Sequence, residues 1–127
     1  DVWAKDVDDV VYDTEVQKKN TKDLPKRSRL YSSMIDSKLL FPGTSGYNAL
    51  NDVYIIMITP FDVFGKGLYR YTFSMKCQEM PDIELADGAT RIFLKTLPMR
   101  QQAKREARGY RDSTKRFPIS RPVKRSG

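Results

Sequence analysis

The feature that most constrains this fold is an unbroken apolar run from Val53 to Ile58. The run does not alternate between apolar and polar residues, so a strand here would be covered on both faces. Strands of that kind are typical of parallel sheets in α/β proteins, where helices connect neighbouring strands. The sequence therefore predicts a buried central strand over residues 52–59, in an α/β domain of residues 1–97.

A second predicted strand, Val10 to Gln17, carries polar side chains on one face. Its β-branched and aromatic residues favour a strand, and successive side chains of a strand point to opposite faces. Asp13, Glu15 and Gln17 therefore share a face, with Glu15 and Gln17 roughly 6.5–7 Å apart. An acid and an amide placed together, with little reason to face a core, indicate a functional site.

Residues Asp1 to Ala4 form a shorter extended run, which the Asp-rich residues 5–9 connect to the second strand by a tight reversal. The two runs are expected to pair as a hairpin, so that Asp1 returns towards Glu15. Carboxylates from neighbouring strands suit Mg²⁺, a hard cation that takes one or two carboxylates together with water and phosphate oxygens. Asp13 would add a third oxygen or face solvent.

A helix is predicted from Pro25 to Leu40, with Asp23 as its cap and the proline in its first turn. Arg27 and Tyr31 lie one turn apart on it. They would either hold and orient a phosphate, or lie in solvent and in the core respectively. The apolar stripe expected to pack on the sheet comprises Leu30, Tyr31, Met34, Ile35 and Leu39.

The segments after the central strand are shorter. Asp62 lies just past the carboxyl end of that strand, where it would assist a ligand site or cap a turn. Leu68–Phe73 alternates aromatic residues and is predicted to be a strand, which would stack bases or pack on a helix. One or two helical turns are expected over Ser74–Met80, and a last strand over Arg91–Lys95.

Composition excludes several classes of protein. The chain has no histidine, which rules out histidine-based catalytic triads and zinc–histidine sites. Its one cysteine, Cys77, excludes an intramolecular disulfide and fits a reducing compartment. No apolar run approaches the roughly 20 residues that span a bilayer. The absence of a signal peptide and of an initiator Met favours a fragment or processed form.

Positive charge is concentrated at the carboxyl end. The whole chain carries +7, of which residues 98–127 contribute +8 and residues 1–97 contribute −1. A basic segment of this kind either contacts nucleic acid through phosphates or is a solvated, disordered tail.

Four blocks of the sequence resemble one nuclease family. DVWAKDVDDVVYDTEVQ resembles the aspartate strand, turn and Glu-x-Gln strand of PD-(D/E)XK nucleases, and more narrowly of the PD-(D/E)XK nuclease family transposases, relatives of the recombination-promoting Rpn nucleases. The resemblance covers Asp1 to Thr96 and continues, in order, through RSRLYSSMIDSKLL, DVYIIMITPFDVFGKGLYRYTF and LADGATRIFLKT.

The resemblance implies a fold and an activity. The fold is a restriction-endonuclease-like mixed sheet with a β-hairpin, a crossover helix, a buried central strand and further edge strands, truncated at the amino terminus and followed by a basic tail. The implied activity is Mg²⁺- or Mn²⁺-dependent cleavage of DNA by an endonuclease that acts in transposition or recombination. The implied location is the bacterial cytoplasm, without membrane contact. A homodimer is expected, since a double-strand break usually takes two copies of a single site.

The resemblance also assigns residues. Asp1 and Glu15 would bind the metal, and Gln17, in the place of the superfamily's lysine, would orient a water. The expected contacts to phosphate and DNA are Arg27, Arg29, Tyr31, Arg100, Lys104, Arg105 and Arg108. Two alternatives stay open: a catalytically decayed DNA-binding fragment that uses the basic tail, and a protein-interaction module that uses Leu68–Phe73.

Overall fold

The computed structural model describes residues 2–40, 43 and 46–97. All but Leu97 belong to the first of two compact units, Asp1–Thr96. One helix and five strands of a single mixed sheet make up this unit, which confirms the α/β class. The elements are β1 (Val2–Lys5), β2 (Val11–Val16), α1 (Leu24–Leu39), a 3₁₀ turn (Tyr47–Ala49), β3 (Val53–Thr59), β4 (Arg70–Phe73) and β5 (Ala89–Lys95).

The strands follow the order β1-β2-β3-β5-β4. Strands β2, β3 and β5 run parallel, while β1 and β4 are antiparallel edge strands. The expectation that the later strands all lie at an edge is therefore wrong for β5, which pairs with β3 on one side and β4 on the other. Ile92 and Phe93 of β5 point to opposite faces and are both buried, which is why this strand lies inside the sheet.

The predicted hairpin joins β1 to β2, and Asp6 holds its turn. One carboxylate oxygen of Asp6 accepts hydrogen bonds from the backbone N–H groups of Asp8 and Val10. The other accepts one from the Tyr12 hydroxyl at 3.1 Å. Short acidic side chains favour turns because they can bond neighbouring backbone groups in this way.

Helix α1 begins and ends within one residue of the prediction, but its buried face differs. Leu24, Ser28 and Ile35 are buried, whereas Leu30 and Met34 are 58% and 46% exposed. Ser28 can lie against the sheet because its hydroxyl donates to the Pro25 carbonyl at 2.6 Å, so no polar group is left unpaired. The helix is thus rotated away from the larger apolar residues at 30 and 34.

Strand β3 is the centre of the core, as predicted. Ile55 and Met57 are fully buried and face α1, where they meet Val11, Leu24 and Phe93. On the opposite face of the sheet, Tyr54 stacks on Tyr12 of β2 with ring centroids 5.4 Å apart. Burial on both faces explains why this run lacks the alternation of a half-exposed strand.

The prediction of one or two helical turns over Ser74–Met80 is wrong. Lys76 instead forms an isolated antiparallel bridge with Glu84, and the Cys77 N–H donates to the Ile83 carbonyl at 3.0 Å. Cys77 is half-buried. Such a short segment gains too few helical hydrogen bonds to offset the cost of the first turn, and its apolar side chains are exposed.

Gly88 offers a test of the turn before β5. Its φ of +77° is in the left-handed region, and an added Cβ would overlap the Asp52 carboxylate and lie 3.4 Å from the Asp52 Cα. Gly65 has a similar φ of +67° but nothing within 4 Å of its Cβ position. We expect Gly65→Ala to lower the free energy of unfolding by about 1–2 kcal/mol through backbone strain alone, and Gly88→Ala to lower it further.

Urea unfolding measures the free energy of unfolding of both variants. Because both substitutions strain the backbone in the same way, the difference between the two losses gives the cost of the overlap with Asp52. Equal losses of stability would show that the Asp52 side chain swings aside without cost.

Candidate active site

The polar face of β2 is the face that α1 covers. Val11 lies in the core, and the next residues on its face, Asp13 and Glu15, are only 5% and 7% exposed. The expectation that this face had little reason to meet a core is therefore wrong. Burial of two carboxylates costs free energy unless they are paired, hydrogen-bonded or bound to a cation. The burial of each of these two side chains therefore has to be explained.

Glu15 is satisfied by its neighbour on the strand. The Gln17 amide donates from Nε2 to Glu15 Oε2 at 3.0 Å, and Arg27 donates from Nη1 to Gln17 Oε1 at 3.0 Å. Because a guanidinium only donates and a carboxylate only accepts, the Gln17 amide can satisfy both only in this orientation. We call these three residues the Glu15–Gln17–Arg27 network.

The network lies where the sheet meets the first turns of the helix. Gln17 directly follows β2, and its backbone N–H donates to the Ile58 carbonyl of β3 at 2.8 Å, which holds the end of the strand in the sheet. Arg27 projects from the second turn of α1 and is half-buried. The chain leaves β2 at Gln17, and helix α1 then brings Arg27 back into contact with the end of that strand.

The other predicted phosphate ligands on the helix are not in the network. Arg29 is exposed on α1. Tyr31 packs against the core and lines a cavity beside Asp13. Of these three residues, Arg27 is the one that hydrogen-bonds to the predicted amide, Gln17.

Asp13 is the unexplained acid. Its Oδ1 is buried, and no donor among the described residues hydrogen-bonds to it. Burial raises the pKa of the Asp13 carboxyl, and the neighbouring Glu15 carboxylate raises it further, while Lys38 opposes the shift. A cavity of about 90 Å³ adjoins this acid, lined also by Trp3, Tyr31, Met34, Ile35, Lys38 and Leu39.

Sequence reasoning missed Trp3 as a neighbour of this acid. The antiparallel register of the hairpin pairs Trp3 with Asp13. Cross-strand partners point to the same face, so the indole and the carboxyl lie side by side. Counting outward from the Asp6 turn would have found this pair.

Some predicted site residues lie outside the described residues. These are Asp1 and the basic residues Arg100, Lys104, Arg105 and Arg108. Within residues 2–40, 43 and 46–97 there is no group of three or more acidic, cysteine or histidine side chains placed to hold a metal ion. Asp13 and Glu15 supply two carboxylates on one face of β2, and Mg²⁺ sites in proteins commonly use one or two carboxylates together with several waters.

Asp62 stabilises a loop. Its carboxylate accepts backbone hydrogen bonds from Phe64, Gly65 and Gly67 and a further one from the Tyr71 hydroxyl. These donors favour the charged form, so the pKa of Asp62 is lowered by the Tyr71 hydroxyl and then by the backbone N–H groups, although desolvation opposes the shift. These contacts agree with the interpretation that Asp62 caps a turn.

No protein-family model, curated protein or solved structure matches this chain. Over the residues that the structure describes, no helix has the length and apolar character to cross a lipid bilayer.

The raised pKa of Asp13 predicts a pH dependence of stability. The folded protein keeps this proton to higher pH than the unfolded chain, whose aspartates titrate near 3.8. Above that pH the folded state binds more protons, so the free energy of unfolding falls as the pH rises through the raised pKa. Urea unfolding in EDTA between about pH 3 and about pH 7 should show this fall.

Asp13→Asn provides the matched control, because the amide cannot titrate in this range. The fall attributed to Asp13 should be missing from its curve. Wild type and variant with the same pH dependence would contradict the assignment.

Proposed function

We propose that this chain is the core of a Mg²⁺-dependent DNA endonuclease of the PD-(D/E)XK class, acting in transposition or recombination in the bacterial cytoplasm. The observation that carries the proposal is the Glu15–Gln17–Arg27 network. It joins an acid that can hold a divalent cation, an amide that can orient a water and a guanidinium that can contact a phosphate, and phosphodiester hydrolysis can use each of these roles.

The order of elements supports the same proposal. A hairpin, a crossover helix and a strand parallel to the second hairpin strand are the parts expected of a restriction-endonuclease-like sheet. Glu15 and Gln17 lie at the carboxyl end of β2, between the sheet and α1. Ligand sites of open α/β sheets commonly lie at that end of the strands.

The proposed chemistry divides among the three residues. Glu15 holds the cation through its carboxylate, and Gln17 orients the attacking water by hydrogen bonding. Arg27 fixes the amide of Gln17, and further N–H donors on the same guanidinium contact the scissile phosphate. Bound Mg²⁺ supplies Lewis-acid stabilisation of the phosphate and lowers the pKa of a bound water.

This division explains how the site would work without the superfamily's lysine. Gln17 carries no charge, but Arg27 brings a fixed positive charge within one hydrogen bond of it. An arginine stays protonated at any physiological pH, so it can stabilise the phosphate but does not accept a proton from water. Arg27 therefore would not act as the base, and a cation held by Glu15 would have to supply the activation of the water.

Nicking of supercoiled plasmid DNA tests the proposal. We expect the chain to nick DNA with Mg²⁺ and not with EDTA, and we expect Glu15→Gln to lower the rate by roughly a hundredfold or more. Glu84→Gln, at an exposed glutamate, is the matched control and should nick at the wild-type rate. Nicking that persists in EDTA, or in Glu15→Gln, would overturn the proposal.

A protein-interaction role is the second candidate function. Leu68 and Phe73, at the two ends of the predicted aromatic strand, are 53% and 44% exposed, and β4 is an edge strand that can accept a further strand. This role predicts that Phe73→Ser abolishes partner binding and that the chain neither binds nor cuts DNA. DNA cleavage by the wild-type chain would exclude it as the main function.

A further inference from the structure

Asp13 presents a problem that the Glu15–Gln17–Arg27 network does not solve. It is a nine-tenths buried acid whose Oδ1 has no hydrogen-bond partner among the described residues. A buried carboxylate left without a partner costs free energy comparable to a lost charged hydrogen bond. A group of this kind in a folded protein requires an explanation, such as a catalytic role or a bound water or ion.

The surroundings of Asp13 restrict what the ligand can be. Glu15 lies two residues along the same strand face, roughly 6.5–7 Å away, so two buried carboxylates point from β2 to the same side. Asp13 is the one acid among the described residues that line the adjoining cavity. A small cation would neutralise the negative charge of both carboxylates and give Asp13 a partner, whereas an anion or a neutral apolar molecule would leave Asp13 uncompensated.

Lys38 is a competing cation for Asp13. It lines the same cavity, but it is exposed and forms no ion pair with Asp13 in this structure. The cost of immobilising a long, well-hydrated lysine side chain opposes that pairing. The cavity therefore leaves room for a separate cation beside Asp13.

We infer that Asp13 and Glu15 together form a divalent-cation site, in which Asp13 is a ligand that the family resemblance does not assign. The resemblance names Asp1 as the partner of Glu15, on the neighbouring strand. The proposed pair instead lies on one strand, two residues apart. The inference rests on the proposed function only for the choice of Mg²⁺, since any hard divalent cation would satisfy the two carboxylates.

Trp3 makes this site directly measurable. It is the one tryptophan of the chain, it pairs with Asp13 across the hairpin, and it lines the same cavity. Tb³⁺ is a hard, oxygen-seeking ion whose luminescence is excited by energy transfer from a nearby indole. Tb³⁺ bound at Asp13 and Glu15 should therefore emit when Trp3 is excited, and Mg²⁺ should displace it.

The experiment titrates Tb³⁺ into the full chain without DNA. We expect sensitised emission from wild type, and at least about tenfold weaker Tb³⁺ binding in both Asp13→Asn and Glu15→Gln, since each loses a charged oxygen ligand. Lys38→Met should bind Tb³⁺ more tightly, because a competing positive charge is removed. Circular dichroism checks that each variant is folded.

The turn of the hairpin supplies the control, because Asp6, Asp8 and Asp9 are an alternative acidic cluster. Asp8 is exposed, and Asp8→Asn should leave the Tb³⁺ affinity unchanged. Loss of binding in Asp8→Asn would overturn the inference by moving the ion to the turn. Wild-type affinity in Asp13→Asn, or no sensitised emission from wild type, would overturn it as well.

Stability gives a second readout that does not depend on luminescence. A ligand that binds only the folded state raises its stability, so Mg²⁺ should raise the urea midpoint of wild type by more than that of Asp13→Asn. The two proposals can fail separately. Nicking that needs Glu15 but not Asp13 would overturn this inference alone, and a chain that binds Tb³⁺ through Asp13 but never nicks DNA would overturn the nuclease function alone.

Discussion

Replacing Ile55 with alanine is expected to lower the free energy of unfolding by about 3–5 kcal/mol. Ile55 is fully buried in the central strand, and its side chain faces α1 within the cluster that includes Val11, Leu24 and Phe93. Truncation removes the transfer free energy of three carbons and leaves a cavity between sheet and helix that neither layer can close by itself. Domains of this size have a total stability of about 5–15 kcal/mol, so the loss would approach unfolding.

Val16→Ala is the matched control for this prediction. Val16 is a β-branched residue of β2, but its side chain is 58% exposed on the face of the sheet away from α1. Its truncation should cost less than about 1 kcal/mol. Urea or thermal unfolding followed by circular dichroism compares the two, and equal losses would contradict a core centred between β3 and α1.

Replacing Arg27 with methionine is expected to lower the rate of Mg²⁺-dependent nicking by about a hundredfold. Methionine keeps much of the side-chain length and packing, but it removes the donor that holds Gln17 Oε1 and the positive charge proposed to contact phosphate. Released from Arg27, the Gln17 amide can rotate away from Glu15 and no longer holds a water in one orientation. Both consequences act on the transition state rather than on the fold.

Arg29→Met is the control, since it removes the same charge two residues further along the same helix. Arg29 is exposed, so its loss should change the nicking rate by no more than about twofold at moderate salt. Arg27→Lys should restore part of the rate, because it returns the charge without the forked geometry. Equal effects of the methionine variants at 27 and 29 would show that Arg27 contributes only general positive charge.

Local sequence rules anticipated most of the elements. The proline after Asp23 and the apolar spacing that follows predicted α1 to within a residue, and the run from Val53 predicted β3. The period of two along β2 placed Glu15 and Gln17 on one face, where their side chains meet. These features depend on residues close together in the chain, and backbone geometry alone relates them.

Contacts between elements could not be read in the same way. Helical spacing identified a stripe on α1 but not its rotation, so Leu30 and Met34 were expected in the core that Ser28 occupies. The rotation is set by how closely the helix approaches β3, and a small residue with a satisfied hydroxyl allows that approach. The same rotation decides that Arg27, and not Arg29, reaches Gln17.

By itself the sequence determined the α/β class, the hairpin, the central strand and the pairing of an acid with an amide, because these follow from side-chain alternation and turn chemistry within short segments. Only the tertiary structure decided that Asp13 and Glu15 are buried, that Trp3 lies beside Asp13, and that Arg27 completes the network. Burial and cross-element contacts depend on how the layers pack, and packing is a property of the whole domain rather than of any one segment.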